Sequence, residues 1–176
     1  ILMIKNILCI TYRNWASRIN DMLERSLPEY NFKIIRDHES YSREIITEFE
    51  PDIILWYGWS WIIPDELVKK YDCICLHPSP LPRYRGGSPI QNQILNNEKM
   101  SAVSLFKMNK EIDAGDIIRQ LPMPLCGNIE DIFDRMTQLG FSGTYDFLKN
   151  GYNFIKQDDS DMTYFSRRKL SESEIT

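Results

Sequence analysis

Asp72-Cys-Ile-Cys-Leu-His77-Pro-Ser-Pro-Leu-Pro-Arg-Tyr-Arg-Gly86-Gly87 joins an apolar run to a loop that can continue neither as helix nor as strand. Cys73 to Leu76 are apolar and lead straight to His77, after which Pro78, Pro80 and Pro82 remove backbone donors and Gly86-Gly87 loosens the far end. The run reads as a strand over Asp72–His77 that ends on a histidine. Open α/β sheets bind ligands just outside the carboxyl ends of their strands, so His77 is a candidate catalytic residue. A hydrogen-bonded histidine with no further role is the competing reading.

Outward from this strand, strand-like and helix-like segments alternate, which predicts an α/β domain with a Rossmann-like, mostly parallel sheet and helices on both faces. Ile4 to Thr11 reads as the first strand and Ala16 to Leu27 as a helix with Ile19, Met22 and Leu23 on one stripe, closed by Pro28. Asn31 to Arg36 is the second strand, followed by a helix over Ser40 to Phe49 that starts near a serine cap. Asp52-Ile-Ile-Leu-Trp-Tyr57 is continuously apolar, as a strand covered on both faces should be. Pro64 opens a short helix and Pro89 to Leu95 another; Val103–Met108 and Ile117–Leu121 read as two further strands. Ile129 to Ile155 reads as one long helix, with Gly140 and Gly143 as packing or bending points.

Three other places carry chemistry. Glu111-Ile-Asp113-Ala-Gly-Asp-Ile-Ile118 is a turn between two strands and supplies a carboxylate, Asp113, as a candidate partner for His77. Gly58-Trp-Ser-Trp61 follows the third strand, where two tryptophans either line a flat aromatic pocket or join the core. Tyr12-Arg-Asn-Trp15 follows the first strand and offers Arg13 to an anion. Cys73, Cys75 and His77 alternate along one strand and so share a face. They lack the second Cys or His cluster from which zinc sites are usually completed, and no metal is expected. Activation of Cys75 as a thiolate nucleophile beside His77 is the other use of that spacing.

The chain has 176 residues, 43% hydrophobic and 26% charged, which suits one globular domain with a sizeable core. Its net charge of −4 disfavours non-specific nucleic-acid binding. Four cysteines without paired short spacings, with no signal peptide, point to a reducing cytoplasm, and no apolar run nears the roughly 18 residues of a membrane span. Met3, after Ile1-Leu2, reads as the expected translation start.

The histidine, the Pro78-Ser-Pro-Leu-Pro-Arg-Tyr-Arg-Gly86 loop and Asp113-Ala-Gly115, in that order, resemble the catalytic core of the formyltransferases that use 10-formyltetrahydrofolate. That family spans glycinamide ribonucleotide transformylase, methionyl-tRNA formyltransferase and the sugar N-formyltransferases. The resemblance implies that His77 stabilises the oxyanion of a tetrahedral intermediate and shuttles a proton, and that Asp113 orients it or takes the amine proton. Cys75 stands where the family has asparagine, and a thiol is a weaker donor than an amide N–H. Pro80 stands where leucine is usual.

By the same resemblance, Gly58, Trp59, Ser60, Trp61, Ile62, Ile63 and Asp113 form the folate wall. Arg13, Pro78, Ser79, Arg83, Tyr84, Arg85, Gly86, Gly87 and Gln91 form the acceptor side. The first-strand turn lacks the glycine cluster with which the purine-pathway relative grips a phosphate, which argues against glycinamide ribonucleotide. Met162 to Ile175 is similar to the segment that follows the catalytic domain in the sugar and tRNA enzymes, so residues 1–160 are the expected catalytic domain and 161–176 an extension crossing back over it. A solvated charged tail is the competing reading. The acidic balance and the absence of the tRNA enzyme's barrel domain disfavour tRNA. The expected acceptor is the primary amine of a small activated, nucleotide-linked amino sugar in surface glycan biosynthesis. A homodimer is compatible with this reading. The rivals are a catalytically impaired folate- or sugar-binding relative, a formyltetrahydrofolate hydrolase, and the formylation domain of a peptide synthetase.

Overall fold

The computed structural model describes residues 5–173, so Met3 and residues 174–176 lie outside it. In chain order the strands are β1 (Asn6–Ile10), β2 (Asn31–Ile35), β3 (Ile53–Leu55), β4 (Asp72–His77), β5 (Arg85–Gly86), β6 (Met100–Lys107), β7 (Ile117–Pro124) and β8 (Tyr164–Phe165). The helices are α1 (Asn14–Ser26), α2 (Arg43–Phe49), α3 (Asp65–Lys70), α4 (Pro89–Leu95) and α5 (Ile129–Asn150). Six strands form one mixed sheet in the order β2-β1-β3-β4-β6-β7, parallel through β4 and antiparallel beyond it.

The period-2 alternation of each strand splits the core in two. Ile7, Cys9, Ile53, Leu55, Ile74 and Leu76 point to the face covered by α1 and α5. Leu8, Ile10, Ile54, Trp56 and Cys73 point to the other, with Ile46 of α2 and Leu67 of α3. Helix α5 lies very close to the first face. A Cβ at Gly140 would stand 2.6 Å from Leu76 Cδ1 and 2.7 Å from Ile19 Cδ1, and one at Gly143 2.7 Å from Leu121 Cδ1. Both glycines are therefore close-approach points in packing.

Helix α5 is shorter than its periodicity predicts. It stops at Asn150, and Gly151 takes φ +76°, a conformation that side chains with a Cβ resist. The chain then runs extended, and Ile155 exchanges both backbone hydrogen bonds with Ile117 at 2.8 and 2.9 Å. Pairing with the start of β7 satisfies donors that a further helical turn would have taken. The serine cap of the second helix is also displaced: Ser42, not Ser40, precedes α2, with no side-chain cap bond.

The N-terminus of α5 is closed by a capping box, in which Asn128 Oδ1 accepts from the Asp131 N–H at 2.9 Å and Asp131 Oδ2 from the Asn128 N–H at 3.0 Å. Asn128→Ala is expected to lower the unfolding free energy by about 1 kcal/mol. A urea midpoint unchanged from the parent would show that packing alone holds this end. Among the described residues no helix is long and apolar enough to cross a membrane.

Candidate functional site

Strand order reverses between β1 and β3, because β2 lies outside β1 while β4 follows β3. Three carboxyl ends open there: β1 leads to Tyr12-Arg13, β3 to Gly58-Trp59, and β4 ends on His77. Such a switch point is where an open α/β sheet leaves a crevice.

His77 is 6% exposed and held from both ring nitrogens. Its Nε2 lies 2.7 Å from the carbonyl oxygen of Tyr84, and because a carbonyl only accepts, Nε2 carries a proton. Nδ1 is thereby turned to Asp113 Oδ2 at 3.5 Å. The same carboxylate oxygen accepts from the Gly86 N–H at 2.8 Å. Nδ1 is thus the ring atom at which a proton can be gained or given up, with the carboxylate beside it to stabilise the imidazolium.

The loop that supplies Tyr84 and Gly86 is pinned on both sides. Ser79 Oγ donates to the Arg83 carbonyl at 2.7 Å, and Gln93 Nε2 to the Pro78 carbonyl at 2.8 Å. The tail pins its far end. β8 lies parallel to β5, the Arg85 N–H donating to Thr163 O at 2.9 Å and the Gly87 N–H to Phe165 O at 2.8 Å, while the Phe165 ring stacks on Tyr84 at 5.2 Å. Tyr84, Ser88 and Asp113 all adopt positive φ, at 60°, 50° and 52°. Left-handed backbone costs a non-glycine residue about 1–2 kcal/mol, so the surrounding contacts hold these residues against their local preference.

Two clefts meet at this wall. One, of ≈ 430 Å³, is lined by Arg13, Trp15, His77, Pro78, Ser88, Gln91, Phe133, Met136, Arg167 and Arg168. The other, of ≈ 460 Å³, is lined by Trp56, Trp61, Ile62, Ile63, Cys75, Phe106, Met108, Ile112 and Asp113. Trp59, Ser60, Gly86, Gly87 and Arg167 face both. The His77–Asp113 pair therefore spans the partition, with the imidazole on the first side and the carboxylate on the second. This arrangement suits passing a group between ligands in adjacent pockets, with a proton relay at the junction.

Cys75 lies in the second cleft, its Sγ 3.7 Å from the carbonyl oxygens of Trp56 and Leu76. Burial, reinforced by the Asp113 charge, pushes its thiol pKa up, so Cys75 stays protonated at neutral pH and does not serve as a thiolate nucleophile. Burial also raises Cys73, to about 11, and its Sγ faces the Leu67 carbonyl in the α3 core. Among the described residues no three His, Cys, Asp or Glu side chains converge as metal ligands.

The remaining expected site residues divide. Arg13, Pro78, Gly86, Gly87 and Gln91 line the first cleft, as does Gly58, which sequence reasoning put on the folate wall. Trp61, Ile62 and Ile63 line the second. Trp59 is partly buried and Trp61 is 43% exposed, its ring between His38 at 4.2 Å and Tyr12 at 4.9 Å, so neither is core. Arg83 and Arg85 line neither cleft. Arg83 pairs with Glu98 at 2.5 Å, and buried Arg85 pairs with Asp159 at 2.6 Å and with Gln157, because the loop folds their stems away from the crevice. Ser79 is fully buried and Tyr84 nearly so; both shape the loop. Sequence reasoning missed Arg167 and Arg168, although the Arg-Arg pair in the tail was the available signal. It also missed Phe133 and Met136, which read simply as the apolar stripe of α5.

Residues 16–140 match the family model described as Formyl transferase. The methionyl-tRNA formyltransferase of Ehrlichia chaffeensis is 35% identical over 133 residues, which cover 72% of this chain and 44% of that protein. The chain spans about half the length of the curated relatives it matches. The solved methionyl-tRNA formyltransferase from Clostridium thermocellum superposes with a TM-score of 0.90 at 32% identity, covering 98% of this chain and 77% of that one. The formyltransferase PseJ from Anoxybacillus kamchatkensis, solved in complex with UDP-4,6-dideoxy-4-formamido-L-AltNAc and tetrahydrofolate, shares the fold at a TM-score of 0.74 and 20% identity, over 95% of this chain and 87% of that one. With a family model matched across both His77 and Asp113, this chain belongs to the formyl transferase family.

Proposed function

We propose that this chain transfers a formyl group from 10-formyltetrahydrofolate to the primary amine of a small activated amino sugar. The observation that carries the reading is the His77–Asp113 pair set in the partition between an aromatic cleft and an arginine-lined one. Trp59, Trp61, Ile62, Ile63, Phe106 and Met108 give the second cleft flat and apolar walls, and at ≈ 460 Å³ it falls within the usual range for cofactor pockets. These residues fit a folate ring system and would hold it. When bound, the donor supplies a nitrogen-linked formyl carbon open to attack by an amine.

The chain's own residues then divide the work. His77, protonated at Nδ1, stabilises negative charge developing on the formyl oxygen; Asp113 fixes the ring and takes the amine proton directly or through water, and that proton is returned to the donor nitrogen as its bond to the formyl carbon breaks. Gly86 and Gly87 let the tail close against the loop, since a Cβ at Gly86 would stand 2.2 Å from the Phe165 carbonyl oxygen and one at Gly87 2.3 Å from Arg167 Cα. Cys75 offers its protonated thiol as a weak donor at the position where the family has asparagine. Removal of one good oxyanion donor costs about 10²–10³ in rate, so Cys75→Asn is expected to raise kcat by about tenfold or more. A lower kcat in that variant would show that the thiol packs rather than donates.

The amine of an aminoacyl-tRNA is the second reading, favoured by the tRNA-formylating names of the relatives described above. Release of tetrahydrofolate from 10-formyltetrahydrofolate, measured alone, with nucleotide-linked amino sugars and with methionyl-tRNA, separates the readings. Release that needs an amino sugar supports the proposal, and release that needs only methionyl-tRNA replaces it. Release without acceptor identifies a hydrolase, and folate binding without release an inactive relative.

A further inference from the structure

The cleft on the His77 side carries three guanidinium groups, Arg13, Arg167 and Arg168, and no Asp or Glu lines it. That is unusual for a chain of net charge −4. Of the eight arginines outside the cleft, six pair with a carboxylate among the described residues: Arg18, Arg36, Arg43, Arg83, Arg85 and Arg119, while Arg25 and Arg135 do not. Among the described residues, none of the three cleft arginines has a carboxylate within 4.0 Å.

They are nonetheless held in place, by neutral groups. Arg167 Nη2 donates to Ser60 Oγ at 3.1 Å, and that oxygen also meets the Tyr12 hydroxyl at 2.7 Å. Arg168 donates its backbone N–H to Ser88 Oγ at 3.1 Å and Nη2 to the Glu172 carbonyl at 2.6 Å. The Arg13 guanidinium lies over the Tyr12 ring, 4.5 Å from its centroid. Neutral partners fix the positions and leave the charges uncancelled. A concave site lined by one sign of charge focuses its field on an incoming anion.

We infer that Arg167 and Arg168 of the tail, with Arg13, form a phosphate-binding subsite that seats the adjacent phosphoryl groups of the acceptor. Guanidinium forks match phosphate oxygens in pairs, and three of them suit a diphosphate better than a single carboxylate. The assignment to the acceptor rests on the proposed function; the preference for phosphate is measurable without turnover. The same chemistry is offered by the diphosphate of a nucleotide-linked sugar and by the phosphodiesters of a tRNA 3′ end.

Trp15 and Trp59 line this cleft, so tryptophan fluorescence reports its occupancy. Inorganic pyrophosphate, UDP, dTDP and the RNA trinucleotide CCA are titrated at matched ionic strength into the whole chain and into Arg13→Gln, Arg167→Gln, Arg168→Gln and Arg36→Gln. Pyrophosphate should bind saturably, about tenfold more weakly in each cleft variant, as expected for the loss of one charge-assisted contact, and unchanged in Arg36→Gln. Melting curves identify any variant that fails to fold, and double substitution by lysine, which keeps charge but loses the fork, must then show intermediate weakening. Tighter binding of UDP or dTDP than of CCA assigns the subsite to a nucleotide-linked acceptor, and the reverse to an RNA end. No saturable pyrophosphate binding, or equal binding in all variants, overturns the inference. Pyrophosphate binding without tetrahydrofolate release for any acceptor leaves the subsite standing and removes the formyl-transfer reading.

Discussion

His77→Ala is expected to lower kcat for acceptor-dependent tetrahydrofolate release by about 10³, with folate affinity nearly unchanged. General acid–base catalysis contributes about 10²–10⁴, and the imidazole is the titratable ring facing the arginine-lined cleft at the partition. Folate affinity should survive because the aromatic walls belong to other elements. Asp113→Asn should cost somewhat less, about 10². Asparagine tolerates the left-handed backbone found at Asp113 and can still accept from the Gly86 N–H, so the substitution removes mainly the charge facing Nδ1. Folate binding by equilibrium titration and single-turnover rates separate the two quantities. If His77→Ala retains more than a tenth of the parent kcat, the imidazole does not carry the chemistry.

Gly86→Ala is expected to release the tail and abolish most activity although Gly86 has no side chain to act with. Its φ of +92° is unfavourable for alanine, and the added Cβ would stand 2.2 Å from the Phe165 carbonyl oxygen and 2.7 Å from Tyr164 Cε2. The Phe165 contact is backbone, so it cannot be relieved by a rotamer change, and β8 must move away from β5. That movement breaks the bonds from Arg85 and Gly87 to the tail and shifts the Gly86 N–H that Asp113 accepts. A loss of about 2 kcal/mol or more is expected from strain and clash together. Limited trypsin digestion should then cut after Arg167 and Arg168 much faster than in the parent, while the sheet core stays protected. Unchanged cleavage together with full activity would mean that the tail does not hold the loop.

The sheet was legible because its information is local. Continuous apolar runs at Asp52–Tyr57 and Asp72–His77 state that these strands are covered on both faces, and the Pro and Gly that follow state where they stop. The end of α5 was not legible from its stripe, because Tyr152 and Ile155 continue an apolar pattern that tertiary pairing with Ile117 redirects into extended chain after Gly151. The pairing of His77 with Asp113 was legible only through the family resemblance in the order of the motifs, since the two are far apart in sequence. The fates of Arg83 and Arg85 could not be read at all. Whether a guanidinium faces a crevice or an internal carboxylate depends on where Glu98 and Asp159 arrive, and neither lies within the loop. The same long-range dependence hid Arg167 and Arg168, whose place in the cleft is set by the pairing of a two-residue strand.

Pairing of β5 with β8 also fixes when the site can exist. A chain leaves the ribosome from its N-terminus, so β1 to β7 and their helices are available to collapse while Thr163 to Arg168 are still to come. Until they emerge, the loop bearing Tyr84 and Gly86 lacks its β8 neighbour, and the two backbone groups that aim the imidazole and carboxylate are held from the Ser79 and Gln93 side alone. The nascent fold is assembled first and made competent last, by a short segment that contributes almost nothing to the core.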